Sequence, residues 1–295
     1  MATTLSVRAR AAKRRNINWR TINTLVNYSG NIIMALLFLT PWVWALAVSV
    51  LPLTMLYKYP PVIFNWPPLF DSYKQVLEFD QGRFLGNMRL SALIAASTSV
   101  FVVVLSGLAG YAFARLKFWG KNFFFILILA TMMFPFTAVL MPLFSLMHNL
   151  KLLNNPLSLV ILYTTFELPF CIFLFRNSFE AIPGALRDAA LIDGCHEFDV
   201  LGQIMIPLAK PAIATVLIYC LYHSWNEFTA ALIFMTTEQT TVPVALAYLA
   251  NSGRFTSKDN VLMAGSVLSF LPILILFLFF QRFFVQGLIS GSTKG

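Results

Sequence analysis

Six apolar segments, residues 31–51, 88–112, 123–145, 157–175, 211–234 and 261–280, decide what this chain of 295 residues can become. Each has 19 to 25 residues, enough to cross about 30 Å of hydrocarbon as a helix. Inside hydrocarbon every backbone N–H and C=O has to be paired within the protein, and a single segment achieves that only as a helix. Charged residues make up 11% of the chain, where a soluble domain carries about 25%, and the mean hydropathy is +0.75. The expected fold class is therefore all-α: a polytopic membrane protein with about six transmembrane helices. Pro41, Gly107, Pro135, Pro142, Pro169 and Pro272 interrupt the segments. Membrane helices tolerate such breaks when neighbouring helices pair the freed backbone groups, so a packed bundle is expected.

An even number of spans puts both termini on one side, and the basic residues say which. With the N-terminus inside, residues 1–29 hold six Lys and Arg, 113–122 three, 176–210 three and the tail two, fourteen in all against seven outside. By the positive-inside rule both termini are expected in the cytoplasm. The run Arg8, Arg10, Lys13, Arg14, Arg15 resembles the head of a signal peptide, and Ala45-Leu46-Ala47 resembles a cleavage site. The first span is longer than a signal core of about 7 to 15 residues, so an uncleaved anchor is expected. The chain then divides into a basic cytoplasmic segment 1–29, a six-helix region 30–281 with a cytoplasmic loop at 176–210, and a cytoplasmic tail 282–295.

The net charge of +9 is explained by this topology, and no basic stripe with interleaved aromatics points to nucleic acid. Cys171, Cys195 and Cys220 form no C-x-x-C pair and His148, His196 and His223 are dispersed, so no metal site is expected. No span carries a clustered nucleophile and base, which argues against a membrane enzyme and leaves no catalytic residue to name. An ion-driven secondary transporter would favour paired intramembrane acids and an inverted repeat, and no such repeat is visible.

The loop at 176–210 reads as a folded element. Pro183 suits a helix start, residues 185–192 are good helix formers, and Asp193-Gly194 stops the helix because glycine readily takes the left-handed conformation. A second helix is expected over 196–206, ending before Pro207. An arbitrary loop of this kind simply covers the ends of spans. Here, however, Asp188-Ala189-Ala190, Gly194, and then Ile204-Met205-Ile206-Pro207 after nine residues resemble the EAA loop of ABC-importer permeases, with pattern E-A-A, three residues, G, nine residues, I-x-L-P. Asp188 replaces the usual Glu and Ile206 the usual Leu. Residues 109–116 (Gly-Tyr-Ala-Phe-Ala-Arg at the core), Trp225-Asn226-Glu227-Phe228 and the tail from Gln281 are also similar to the carbohydrate-type importers, particularly the smaller permease of the maltose transporter family. Asn87-Met88-Arg89-Leu90-Ser91 departs from many relatives, in which Ser directly follows Asn.

The resemblance implies a type I ABC importer permease fold in the bacterial cytoplasmic (inner) membrane. It also implies a subunit that forms half of a sugar or oligosaccharide path without acting chemically on the sugar. The chain has no G-x-x-x-x-G-K-[ST] loop, so ATP and Mg2+ would be bound by two partner ATPase subunits, and no cofactor by this chain. The other implied partners are a second permease chain, making a heterodimer, and an extracytoplasmic solute-binding protein. Asp188, Ala189, Ala190, Asp193, Gly194, Ile204 and Pro207 would couple to the ATPase, with Asp188 as ionic contact and the two alanines allowing close packing. The tail would be either a disordered end or a docking segment between the ATPases.

Polar residues in the spans are candidates for the substrate path. Glu167 and Glu227 stand out because a charge at the bilayer centre costs about 2.5 to 3.5 kcal/mol on insertion scales. Glu227 either lines the path or lies near the outer end of its span, and Trp225 and Asn226 share both readings. The Phe-rich runs at 123–125 and 277–280 are expected to face lipid or pack. The outer loop 235–260 is read as polar and mobile. Asn251, Ser252, Gly253 and Arg254 there are candidates for contact with the binding protein.

Overall fold

The computed structural model describes residues 19–60, 62, 64–236, 238–251 and 259–292, with side chains described as far as Phe279. Helices follow in the order α1 (Trp19–Ser49), α2 (Leu53–Leu56), α3 (Asp71–Gly82), α4 (Phe84–Arg115), α5 (Lys121–Ala130), α6 (Phe136–Asn149), α7 (Pro156–Ala181), α8 (Gly184–Ile192), α9 (Glu197–Asp199), α10 (Ile206–Leu208), α11 (Lys210–Asn226), α12 (Thr229–Phe234), α13 (Val242–Asn251) and α14 (Asp259–Ser292). The chain is all-α among the described residues. Four helices are long and apolar enough to cross a membrane, or up to six spans if each of two bent helix pairs counts as one.

The bundle is organised around α4 and α7. The buried positions of α4 include Asn87, Ser91, Ala95, Thr98, Val102, Ser106 and Gly110, a stripe at helical spacing composed mostly of small residues. Small side chains let two helix backbones approach closely, which is how helices associate where lipid removes the hydrophobic drive. The closest approach is at Gly110, where an added Cβ would lie 2.6 Å from the Phe175 Cβ and 3.0 Å from the Arg176 nitrogen on α7. α11 and α14 complete the packing around this seam. α1 lies largely exposed along α14, with Trp42 stacked on Phe270 at a centroid distance of 4.0 Å and Asn260 Nδ2 donating to the Leu51 carbonyl at 3.2 Å.

The structure corrects four expectations. The expected span 123–145, read as one helix interrupted at Pro135 and Pro142, is two helices bent by 97°. Phe134 stands before Pro135 and is extended (φ −79, ψ 119), because the proline ring excludes the helical conformation of the residue before it. The expected span 211–234 ends at Asn226. Glu227 is extended and a separate α12 follows, so α11 alone is 17 residues, about 26 Å. The second loop helix does not stop before Pro207 but runs through it to Leu208. It does so by way of a π-helical stretch, Val200–Met205, in which the Ile206 N–H reaches back five residues to Leu201 O just before the proline. Lastly, the outer loop contains α13, whose Val242, Val244, Ala245 and Leu249 are buried, with Val242 N donating to Ser91 Oγ at 2.9 Å. The apolar run 242–249 is enough to form a packed helix between polar flanks.

Residues 1–18, Ser252, Gly253, Arg254 and residues 293–295 lie outside the described residues, so the basic head and most of the expected binding-protein contact fall there. The start of the tail is helical, as α14 continues to Ser292.

Gly110→Ala should destabilise the subunit by about 1–3 kcal/mol, since the intruding methyl meets backbone rather than a flexible side-chain tip. Gly107→Ala, whose Cβ meets nothing within 4 Å, should be neutral or stabilising by up to about 1 kcal/mol. Thermal unfolding of the two purified variants in detergent measures this, and equal melting temperatures would contradict a tight α4–α7 seam.

Candidate functional site

The connection between α7 and α11 folds as helix, tight turn, helix. Pro183 (φ −57, ψ 129) is extended and leads directly into α8. At the other end Gly194 has φ +88, with Gly194 N donating to Leu191 O at 3.2 Å and Cys195 N to Ala190 O at 3.0 Å. That pair of bonds is a Schellman closure, which requires the left-handed residue that Gly194 supplies. The chain restarts at once, because His196 N donates to Asp199 Oδ2 at 3.0 Å and caps α9. A π-helical stretch, Val200–Met205, then joins α9 to α10.

One face of this element is built into the bundle. Ala190, Val200, Leu201 and Met205 are buried with Tyr111, Phe175 and Phe179. Ala190 is thereby turned into the chain's own core, contrary to the expectation that it packs on a partner. Ala189 remains exposed, as do Asp193, Gly194 and Pro207, while Ile204 is half-buried. The opposite face carries the exposed Asp188 side chain beside two unusually open apolar residues, Ile192 at 86% and Phe198 at 80% exposure.

Four residues to which sequence reasoning gave no role fix the element to the bundle. Arg115, at the end of α4, donates through Nη2 to the carbonyls of Phe179 and Ile182, satisfying the open C-terminus of α7. Tyr111, one turn earlier, donates its hydroxyl to Glu197, which also pairs with Arg187 of α8 across the turn. The available signals were the Gly-Tyr-Ala-Phe-Ala-Arg string itself and the opposite charges of Arg187 and Glu197 flanking Asp193-Gly194.

The Arg187 guanidinium holds the Glu197 carboxyl below the usual carboxylate range, and Glu197 in turn raises Arg187. A carboxyl depressed on folding contributes stability that is fully present above its unfolded pKa and lost as pH falls through the lower folded value. Amide exchange at residues 196–200, corrected for intrinsic rate, should therefore stay constant from about pH 8 to about pH 5 and rise only below about pH 4. A transition centred near neutrality would show that another group holds the turn.

The polar residues within the spans are dispersed among different roles. Trp225 is buried, its Nε1 donating to Ser269 O on α14 at 3.2 Å. Glu227 accepts from Ala230 N at 2.9 Å, Ala231 N at 3.2 Å and the Tyr163 hydroxyl at 2.6 Å. Its carboxylate thus caps α12 rather than standing free. Asn226 is exposed and bonds back to Tyr222 O at 2.8 Å. Glu167 is buried on α7. Among the described residues no group of three or more His, Cys, Asp or Glu is arranged to hold a metal ion.

A bent bundle of apolar helices with an anchored helix-turn-helix at one end has the architecture of a membrane transport subunit. Residues 102–290 match the family described as "Binding-protein-dependent transport system inner membrane component", and the chain belongs to that family. It is similar to the arabinooligosaccharides transport system permease protein AraQ of Halalkalibacterium halodurans, with 39% identity over 67% of this chain and 71% of that protein. It is also similar to the trehalose transport system permease protein SugB of Mycobacterium tuberculosis, with 33% identity over 96% and 99%. Among solved structures, a chain of a bacterial ABC transporter involved in the import of the acidic polysaccharide alginate superposes with a TM-score of 0.76 and 27% identity, covering 90% of this chain and 98% of that one. The type I ABC importer permease fold follows, and the family's members are channel subunits rather than enzymes.

Proposed function

We propose that this permease forms half of the inward path for a sugar or oligosaccharide and is driven through the α8 turn by a partner ATPase. The observation that carries the coupling role is that Asp188, Ile192 and Phe198 are all exposed, the last two at 86% and 80%, on an element whose other face is locked into the bundle. A loop that merely covered span ends would turn such side chains inward, whereas a socket on a partner would bury them. Asp188 supplies the ionic contact, Ala189 permits close approach, and Asp193, Gly194, Ile204 and Pro207 hold the shape of the turn. Two ATPase subunits would bind ATP and Mg2+, and a second, non-identical permease would complete the path. A solute-binding protein would deliver sugar from the other side of the membrane, with Asn251 at the end of α13 and Ser252, Gly253 and Arg254, which follow it in sequence, as contacts. The carbohydrate class is supported by the named substrates of AraQ and SugB. The tail would dock against the ATPases, and both termini would be cytoplasmic.

Asp188→Lys should leave the complex assembled in the membrane while abolishing the stimulation of ATPase activity by loaded binding protein. Reconstituted complex measures both, and unchanged stimulation together with unchanged uptake would remove the coupling assignment. For the orientation, a cysteine introduced at Ser292 should resist an impermeant thiol reagent in intact cells. Efficient labelling from outside would refute it.

A further inference from the structure

Between α1 and α3 the chain makes an excursion that leaves five aromatic side chains in the open: Tyr57, Tyr59, Phe64, Trp66 and Phe70. Tyr59 is 97% exposed and Trp66 79%, with the Phe64 ring stacked on Trp66 at a centroid distance of 6.3 Å. Residues 50–70 hold no acidic side chain and one basic one, Lys58, which is also exposed. Aromatic rings bared on this scale mark a surface that something apolar covers.

What covers them follows from where the excursion is tied. It leaves and returns at one point, since Leu69 N donates to Val50 O at 3.1 Å and the Tyr73 hydroxyl shares a hydrogen bond with Ser49 Oγ at 2.8 Å. The Tyr57 hydroxyl donates to Asp259 Oδ2 at 2.8 Å, which pins the excursion to the start of α14. All of these ties lie at the end of α1. The apolar stretch of α1, Val26–Ser49, has 24 residues and is about 36 Å long, whereas hydrocarbon is about 30 Å deep, so the tied end stands at headgroup level. α1 packs chiefly on α14 and takes no part in the α4–α7 seam, and its side chains from Ile32 to Leu46 are almost all exposed. The excursion therefore lies at the lipid margin of the bundle, continuous with a face already turned to lipid. α3 leads from it into the start of α4, whose far end carries Arg115 and the α8 turn.

We propose that Tyr59, Phe64 and Trp66 anchor this excursion in the headgroup layer of the bilayer, at the end of the bundle opposite α8. The partner is a lipid surface. Trp and Tyr favour that layer because the ring body meets acyl chains while the indole N–H or the hydroxyl meets water and headgroups. Lys58, between two tyrosines, pairs with lipid phosphate, and no carboxylate in the segment opposes it. Through Tyr57 and Asp259 the anchor fixes the height at which α14 begins. The assignment depends on the chain's place in a membrane and not on the sugar proposed above.

Fluorescence quenching tests it, in the full complex reconstituted into vesicles of phosphatidylethanolamine and phosphatidylglycerol. The Trp66 contribution is the difference between wild type and Trp66→Phe, and Tyr59→Trp supplies a second reporter as its gain over wild type. Both signals should lose more emission to lipids brominated close to the headgroup than to lipids brominated near the chain end. Iodide should quench them less than the shallow bromines do, and adding binding protein should leave this pattern as it was. Quenching by iodide without quenching by either lipid would put the rings in water and overturn the proposal. Stronger quenching by the deep bromines would put them in the hydrocarbon core and overturn it as well. Quenching by neither agent, or lipid quenching that disappears when binding protein docks, would show that protein covers the rings, and the lipid anchor would be wrong while the family assignment stood.

Discussion

Every break in a helix that lies in hydrocarbon has to be repaired by other groups of the same bundle, and that requirement orders the structure. Where α11 stops at Asn226, the Glu227 carboxylate takes up the first free N–H groups of α12, and Tyr163 on α7 donates to the same carboxylate. Where α7 stops at Ala181, Arg115 reaches over from α4 to satisfy its last carbonyls. A charged side chain is expensive to place in such surroundings, and Glu227 and Arg115 are held where their charge is matched by exposed ends of backbone dipoles. These repairs also decide which helices sit together.

Within six residues of α4 three separate contacts follow one another. Gly110 sets the approach to α7, Tyr111 holds Glu197 beyond the turn, and Arg115 holds the point where α7 becomes the loop. Through Arg187 and Glu197, α8 is therefore bonded to the same helix that forms the central seam. A push on α8 reaches α4 and α7 through packed atoms and hydrogen bonds instead of being absorbed by a slack linker.

The spans and the loop were legible because their signals are local. Apolar length marks a helix in lipid, and Asp193-Gly194 after a run of helix formers marks its stop. What remained hidden depends on partners far along the chain. Pro135 is visible as an interruption, but the bend it permits is set by what the two halves pack against. Glu227 reads as a costly charge in search of a substrate until Tyr163, 64 residues away, and the N-terminus of α12 come into view. α13 was missed for the opposite reason: the polar flanks of its loop outweighed an eight-residue apolar run whose burial follows from Ser91 and its neighbours on α4.

The two ends of α4 differ in how their polar groups are used. Near Arg115 the charged side chains are paired with carbonyls or with each other, which suits a part that must move as one body. Toward the other end the Ser91 hydroxyl accepts the Val242 N–H, so α13 is tied to α4 by an uncharged hydrogen bond. A single helix thus joins the α8 turn at one end to α13 at the other. The small-residue stripe between them lets the seam with α7 stay close along the intervening turns.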